Sequence, residues 1–501
     1  MPFDYDAIIV GSGAGGGTIA WKLCTAGKRV LLIERGKRFD DPTAFQNEKR
    51  MLIDMEAFDD RTFRVNERDT RLYIGGVLGG GTALYGSALL RPSRDDFHPG
   101  KFYSKWLEPE LWDWPINYDD LEPYYDQVEE LLGVTGDVSA TMLHIEKPRG
   151  DYTSPPPELE PINKKLKRGI EESGFHPFHL PLGIDFNRCL RCPTCPGFYC
   201  PNNARASTTD RFIERAIATN NLELRTEFET ERILLDQKGK GRGIRVRSRH
   251  QNVVEELTAE NYIISAGAIG SPVLLMKSGY EDRSGELGRN YAYHCGALVA
   301  GIFREPTGGS ERFIKQLGFT DLYFGNNEFP HKLGYVQTLP SPGPLSVQEN
   351  APLPIPHSLA KFLNRRMLII SGAVEDLPQQ ENRVHVDRSG KIHLTHKFHP
   401  YDIERSRWYL QQLKRVMKKT GALFTFGATG EKDDRHTAHQ TGTVRFGTDP
   451  KQAVLDSNCR LHGYENVYVV DGSFTPTSLG VGPALTIMAN ALRVGEIIAT
   501  P

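Results

Sequence analysis

The chain has 501 residues, 39% hydrophobic and 25% charged, and its 61 Lys+Arg against 63 Asp+Glu leave a formal net charge of -2. That length favours at least two structural units with a sizeable core, and no basic excess calls for nucleic acid. No apolar run reaches the ~20 residues of a membrane span, the first residues lack a basic-then-apolar leader, and the 7 cysteines are too few for a disulfide scaffold, so a reducing cytoplasm is the expected compartment.

Asp6 to Val10 reads as a short, fully buried parallel strand. Gly11-Ser12-Gly13-Ala14-Gly15-Gly16 follows at once, then a helix from Thr18 to Ala26, then a second strand from Arg29 to Ile33 that ends at Glu34-Arg35. Strand, glycines, helix, strand and acid in this order form a dinucleotide fingerprint. Gly11 is expected to make the tight turn, Gly13 to admit a pyrophosphate, and Gly16 to let the helix pack on the strand. The helix start, Ala14 and Gly15 included, would offer unpaired N–H groups to phosphates, and Glu34 would accept from ribose hydroxyls. FAD and NAD both use this motif.

Further along, Gly75 to Gly86 is dense in glycine around Leu78, Thr82, Leu84 and Tyr85. Its Gly80, Gly81, Thr82, Tyr85 and Gly86 suit a backbone lying against a flat ligand. The proline run Tyr152 to Pro157 marks a crossing between structural units. Tyr262 to Ser265 reads as a buried strand that enters the turn Ala266-Gly267 and a helix through Ser278-Gly279. The stretch 304–358, rich in Gly and Pro, is expected to lie over the site. Arg366 to Ser371 and Arg383 to Val386 read as strands of one sheet, and Asp402 to Thr420 as an amphipathic helix. Asn466 to Val470 is a strand ending at Asp471-Gly472, a position suited to a ribityl hydroxyl or the pyrophosphate.

On these segments the chain resembles the glucose-methanol-choline (GMC) oxidoreductases, in a bacterial branch. The likeness covers residues 5 to about 498 and is weakest between about 300 and 370. The stretch Gly267 to Gly279 is similar to the family's second signature, Gly75 to Pro92 is similar to a divergent first one, and Leu121-Glu122-Pro123-Tyr124-Tyr125 and Leu132-Gly133-Val134 also fit. Gly79 to Gly86 further resembles oxidases acting on sugars and amino sugars. The resemblance implies an α/β fold: a Rossmann-like FAD-binding domain with an inserted, α+β, antiparallel-sheet substrate domain. The FAD-binding parts are expected at 1–150, 186–300 and 431–501, and the substrate parts at 151–185 and 301–430. Leu84 stands where some members carry a histidine that tethers the flavin, so FAD is expected to be held non-covalently.

His439-Gln440-Thr441-Gly442-Thr443 matches the family's His-x-x-Gly-Thr pattern, which implies His439 as the base that takes a hydroxyl proton. His436 reads instead as a loop histidine. The turn before the last helix departs from the family, because Gly482 stands where a second His or Asn helps hold the substrate hydroxyl. His436, Tyr85 or a substrate atom would have to substitute. Alternatively the flavin serves other chemistry, as in a lyase, isomerase or oxygenase. Gly482-Pro483-Ala484-Leu485 opens the final helix, whose N-terminus the resemblance points at the flavin pyrimidine edge. Cys189, Cys192, Cys195 and Cys200 could ligate zinc or an iron–sulfur cluster, or form a proline-stiffened structural loop with free thiols or local disulfides. No metal is assigned to the catalytic residues. The reading implied is oxidation of a hydroxyl on a sugar, polyol or related alcohol, with oxygen, a quinone or a redox protein as acceptor.

Overall fold

A computed structural model describes residues 3–108, 112–430 and 438–500. Five parallel strands form one sheet in the order Val467–Val469, Ala259–Ile264, Tyr5–Val10, Val30–Glu34, Leu222–Thr226. Ile8, Ile9 and Val30 to Ile33 are buried, as expected of strands covered on both faces. The helix Ala14–Thr25 crosses from the first strand to the second, and the final helix, Ala484–Ala499, packs against it. The first helix starts four residues earlier than the hydrophobic pattern indicates, because Gly15, Gly16 and Gly17 form its first turn.

A second sheet has six antiparallel strands, in the order Phe424–Thr429, Ala297–Ile302, Met367–Gly372, Val336–Leu339, Leu317–Phe319, Phe178–His179. The helix Pro400–Lys419 packs on it. Its start is fixed by a box in which the His399 backbone N–H donates to Asp402 and the Tyr401 N–H donates to the His399 ring. Residues 313–320 are buried, so the 304–358 stretch builds core and sheet rather than an overlying loop.

The expectation that 366–371 and 383–386 share a sheet is overturned. Met367–Gly372 pairs with Ala297–Ile302, whereas Arg383–Val386 pairs with Ile392–Thr395 in a four-stranded sheet completed by Phe63–Val65 and Arg68–Thr70. The link between them is pinned by buried carboxylates. Glu375 accepts from Lys332 Nζ at 2.6 Å and Tyr103 Oη at 2.7 Å, and Asp376 pairs with His396 at 2.7 Å. Pro378 then lacks the N–H that a continuing strand would need. A three-stranded meander, 228–257, completes the sheets. Among the described residues no helix is long and apolar enough to cross a membrane.

Candidate active site

The glycines of the fingerprint divide by what stands behind them. A Cβ on Gly11 (φ +93°) would lie 2.2 Å from the Ser265 carbonyl oxygen, and one on Gly16 would lie 1.8 Å from that of Gly11. Gly15 is backed in the same way by Val470. Gly13 and Gly81, in contrast, have no protein atom within 4 Å of an added Cβ. Gly80 meanwhile approaches Gly13 Cα to 3.0 Å by the same measure. The two glycine loops therefore meet edge to edge and leave an open cradle in front of them. Neither the first helix, capped by Gly13, nor the final helix, capped by Pro483, has a side chain bonded to its N-terminal amides. Both starts keep donors for an anionic or carbonyl-rich ligand. The chemistry of this cradle, open glycine faces beside unbonded helix-start amides, suits the pyrophosphate of a dinucleotide.

Ser12 stitches the loops together. Its hydroxyl donates to Glu34 at 2.5 Å and accepts from the Gly79 N–H at 2.9 Å. Thr82 Oγ1 donates to the Gly79 carbonyl at 2.6 Å and accepts from the Thr208 N–H at 3.1 Å, and Thr208 Oγ1 donates to the Ser12 carbonyl at 2.9 Å. Glu34 thus faces the glycine loop, and its second oxygen accepts from the Gly36 N–H at 2.6 Å. The Arg35 guanidinium turns to Asp59, Asp60 and Glu229, which leaves only its backbone to a cofactor. Asp471 also works within the protein. It accepts from Gly267 N at 3.0 Å and Ser473 N at 2.9 Å, as well as from the Ser271 and Ser473 hydroxyls. It thereby fastens the Ala266-Gly267 helix start to Gly472. Gly472 backs onto the carbonyl of Gln440, at 2.6 Å from an added Cβ, which sets the Asp471 segment beside His439. Leu84 is buried with Met51, Met55 and Phe58.

His439 sits in a left-handed conformation (φ +68°), an uncommon state for a non-glycine residue that marks a constrained loop. The pattern around it has physical reasons. A Cβ on Gly442 (φ +92°) would come within 2.1 Å of the Asn290 carbonyl, and the Thr443 hydroxyl donates to the Ala268 carbonyl at 2.6 Å. Thr441 N donates to the Ala292 carbonyl at 2.9 Å.

Two residues further along that same segment stands His294, which no sequence motif singles out. Its Nε2 lies 2.8 Å from the Leu479 carbonyl and 3.1 Å from that of Ser478, and its Nδ1 lies 3.0 Å from His439 Nδ1. Carbonyl oxygens only accept, so His294 Nε2 carries its hydrogen. Burial favours the neutral ring, so its Nδ1 accepts. His439 must then donate from Nδ1, and its Nε2 bears a free lone pair. A Cβ on Gly482 would lie 3.4 Å from that Nε2. Position 482, where the resemblance leads to a second His or Asn, thus faces the His439 nitrogen that bears the lone pair. Burial, with His294 and Lys315 nearby, pushes the His439 pKa down to about 3.

Of the groups expected to replace a side chain at 482, Tyr85 is already engaged, donating its hydroxyl to the Ala206 carbonyl at 2.8 Å. His436 lies outside the described residues. Gly86 accepts at its carbonyl from Lys315 Nζ at 2.8 Å.

All seven cysteines are free thiols. Cys189, Cys192, Cys195 and Cys200 line a small recess of about 30 Å³. Among the described residues no three His, Cys, Asp or Glu side chains converge as metal ligands. The main chain of the cysteine loop is tied to the glycine loop. Arg205 donates to the carbonyls of Cys195, Phe198 and Ala83, and Gly197 N donates to the Leu84 carbonyl at 2.6 Å.

Known proteins share this architecture. The chain is 28% identical to 6'''-hydroxyparomomycin C oxidase of Streptomyces lividus, over 99% of this chain and 91% of that one. It is 26% identical to 2-methyl-1,2-propanediol dehydrogenase of Mycolicibacterium austroafricanum, over 99% and 95%. A crystal structure of pyridoxine 4-oxidase from Mesorbium loti superposes with a TM-score of 0.69 at 18% identity, covering 98% of both chains, and shows the shared fold. Residues 5–296 and 378–491 match the N-terminal and C-terminal regions of the GMC oxidoreductases. The chain therefore belongs to the GMC oxidoreductases, a family of FAD-dependent alcohol and sugar oxidoreductases.

Proposed function

We propose that this protein oxidises a CH–OH group of a sugar, polyol or related small alcohol, with His439 Nε2 taking the hydroxyl proton. The observation that carries this reading is the ordered histidine pair, in which His294 fixes the tautomer that leaves Nε2 bare beside Gly482. FAD, bound non-covalently, would supply the two-electron acceptor. Gly11, Gly13, Ala14, Gly15 and Gly16 would hold its pyrophosphate, with Glu34 and Arg35 at the adenosine end. Gly80, Gly81, Thr82, Tyr85 and Gly86 would lie along the ring system, Ala266, Gly267, Asp471 and Gly472 along the ribityl chain, and Gly482, Pro483, Ala484 and Leu485 at the pyrimidine edge. Relatives named for amino-sugar and diol oxidation support a hydroxylated substrate of that kind.

A second reading, non-redox or oxygenase chemistry, rests on the missing side chain at Gly482. One experiment separates the two. The FAD-loaded protein is mixed without oxygen with amino sugars such as paromamine, and with 2-methyl-1,2-propanediol and other diols. Bleaching of the flavin band supports alcohol oxidation. His439→Ala should keep its yellow colour and lose the bleaching. Colour retained with no bleaching by any alcohol favours the second reading.

A further inference from the structure

Lys315 is 3% exposed, yet no carboxylate among the described residues pairs with it. A buried ammonium normally has an anionic partner, because desolvating a lone charge is costly. This one has three donors. It makes one hydrogen bond, to the Gly86 carbonyl at 2.8 Å. The charged and titratable groups around it are Arg205, Cys195 and His439. Arg205 is engaged by three backbone carbonyls. Burial lowers the Lys315 pKa to about 8.

Its placement is specific. Lys315 Nζ stands on Gly86, where an added Cβ would meet it at 2.3 Å. Two residues on, the Ala88 carbonyl lies 4.0 Å from a Cβ built on Gly482, and His439 Nε2 lies 3.4 Å from the same point. The Lys315 ammonium thus meets the 86–88 stretch at Gly86, and position 482, which stands beside His439 Nε2, meets the same stretch at Ala88. Gly482 contributes no side-chain donor there, and the Tyr85 hydroxyl donates elsewhere.

We infer that Lys315 donates to the substrate hydroxyl oxygen and so supplies the second polar contact that Gly482 cannot. The inference rests on the alcohol-oxidising reading above. As the O–H bond breaks, its proton passes to His439 Nε2 and the electron pair stays on oxygen, facing the Lys315 ammonium. A cation there favours the alkoxide over the alcohol and holds the oxygen toward the base.

The test uses Lys315→Met, Lys315→Arg and His439→Ala beside wild type, each assayed for bound flavin. The probe is ¹³C-labelled acetate, a small oxygen anion, whose binding is read from NMR line broadening with or without cofactor present. Wild type should bind acetate, less tightly as pH rises through about 8. Lys315→Met should weaken binding at least tenfold, while Lys315→Arg and His439→Ala retain it. With an alcohol that bleaches wild type, Lys315→Met should slow flavin reduction about 10²-fold, and Lys315→Arg should recover part of the loss. Acetate that ignores wild type, or binds Lys315→Met equally, overturns the inference. A chain that carries no flavin defeats the alcohol-oxidising reading instead, and leaves the acetate comparison to judge the lysine contact by itself.

Discussion

Replacing His294 tests the tautomer argument directly. In wild type its Nδ1 accepts from His439 Nδ1 at 3.0 Å, while its Nε2 donates to the Leu479 carbonyl at 2.8 Å. Leucine at 294 removes both partners and lets the His439 ring place its hydrogen on either nitrogen. An orphaned buried donor costs about 1–3 kcal/mol, and ~1.4 kcal/mol is a factor of ten in rate, so the limiting rate of flavin reduction should fall about 10- to 100-fold. Glutamine at 294 carries an acceptor oxygen and a donor amide, so His294→Gln should recover part of the loss. Stopped-flow reduction by an alcohol without oxygen measures both variants. Flavin content and thermal stability show whether the cofactor site is intact. If His439 is the base, as proposed, the effect should fall on the limiting rate and spare the concentration for half-saturation, since His294 bonds to His439. A leucine variant within twofold of wild type would refute the reasoning.

Because His439 is held neutral down to about pH 3, the reduction rate should stay level as pH falls through 6.5; an acid limb centred near 6.5 would contradict this. The same depression means that the unfolded chain binds a proton there before the native one does, so stability should decline as pH falls from about 6.5 toward 3, as followed by urea midpoints. Gly16→Ala should prevent folding, since its Cβ would collide with the Gly11 carbonyl. Gly13→Val should instead leave the stripped protein as stable as wild type and lose cofactor retention on a desalting column. Lys332 bridges Asp96 at 2.7 Å and Glu375 at 2.6 Å with no exposure to water, so Lys332→Met should cost about 3–5 kcal/mol in urea titration; a change below ~1 kcal/mol would count against the bridge.

What could be read from the residues alone was whatever is local in sequence. The strand, glycine and acid pattern at 6–34 needs only neighbouring residues, and the His-x-x-Gly-Thr segment carries its own reasons in Gly442 and Thr443. The family likeness was legible for the same cause. What stayed hidden depends on contacts distant in the chain. His294 is an isolated histidine until the fold brings it to His439, 145 positions away. Lys315 looks like any surface lysine, and nothing in its neighbours announces that sheet formation buries it. The assignment of 366–371 and 383–386 to one sheet failed because alternation reveals a strand and not its partner; the buried carboxylates Glu375 and Asp376 decide where the chain turns. Glu34 and Asp471 read from the sequence as acids at strand ends, placed for ribose and for ribityl or pyrophosphate groups, but the bonds they make within the protein are visible only once Ser12, Ser271 and Ser473 are placed.

The parallel sheet borrows its outermost strand from Val467–Val469, and the first helix rests on one that ends at Ala499. A growing chain therefore cannot finish its opening strand-and-helix motif until residues 467–499 have been made. Contacts of such wide sequence separation slow folding and leave hydrophobic strands uncovered in the meantime. Truncation just before residue 467 should strand the N-terminal half as an aggregation-prone intermediate, and chaperone dependence should be greatest during that wait.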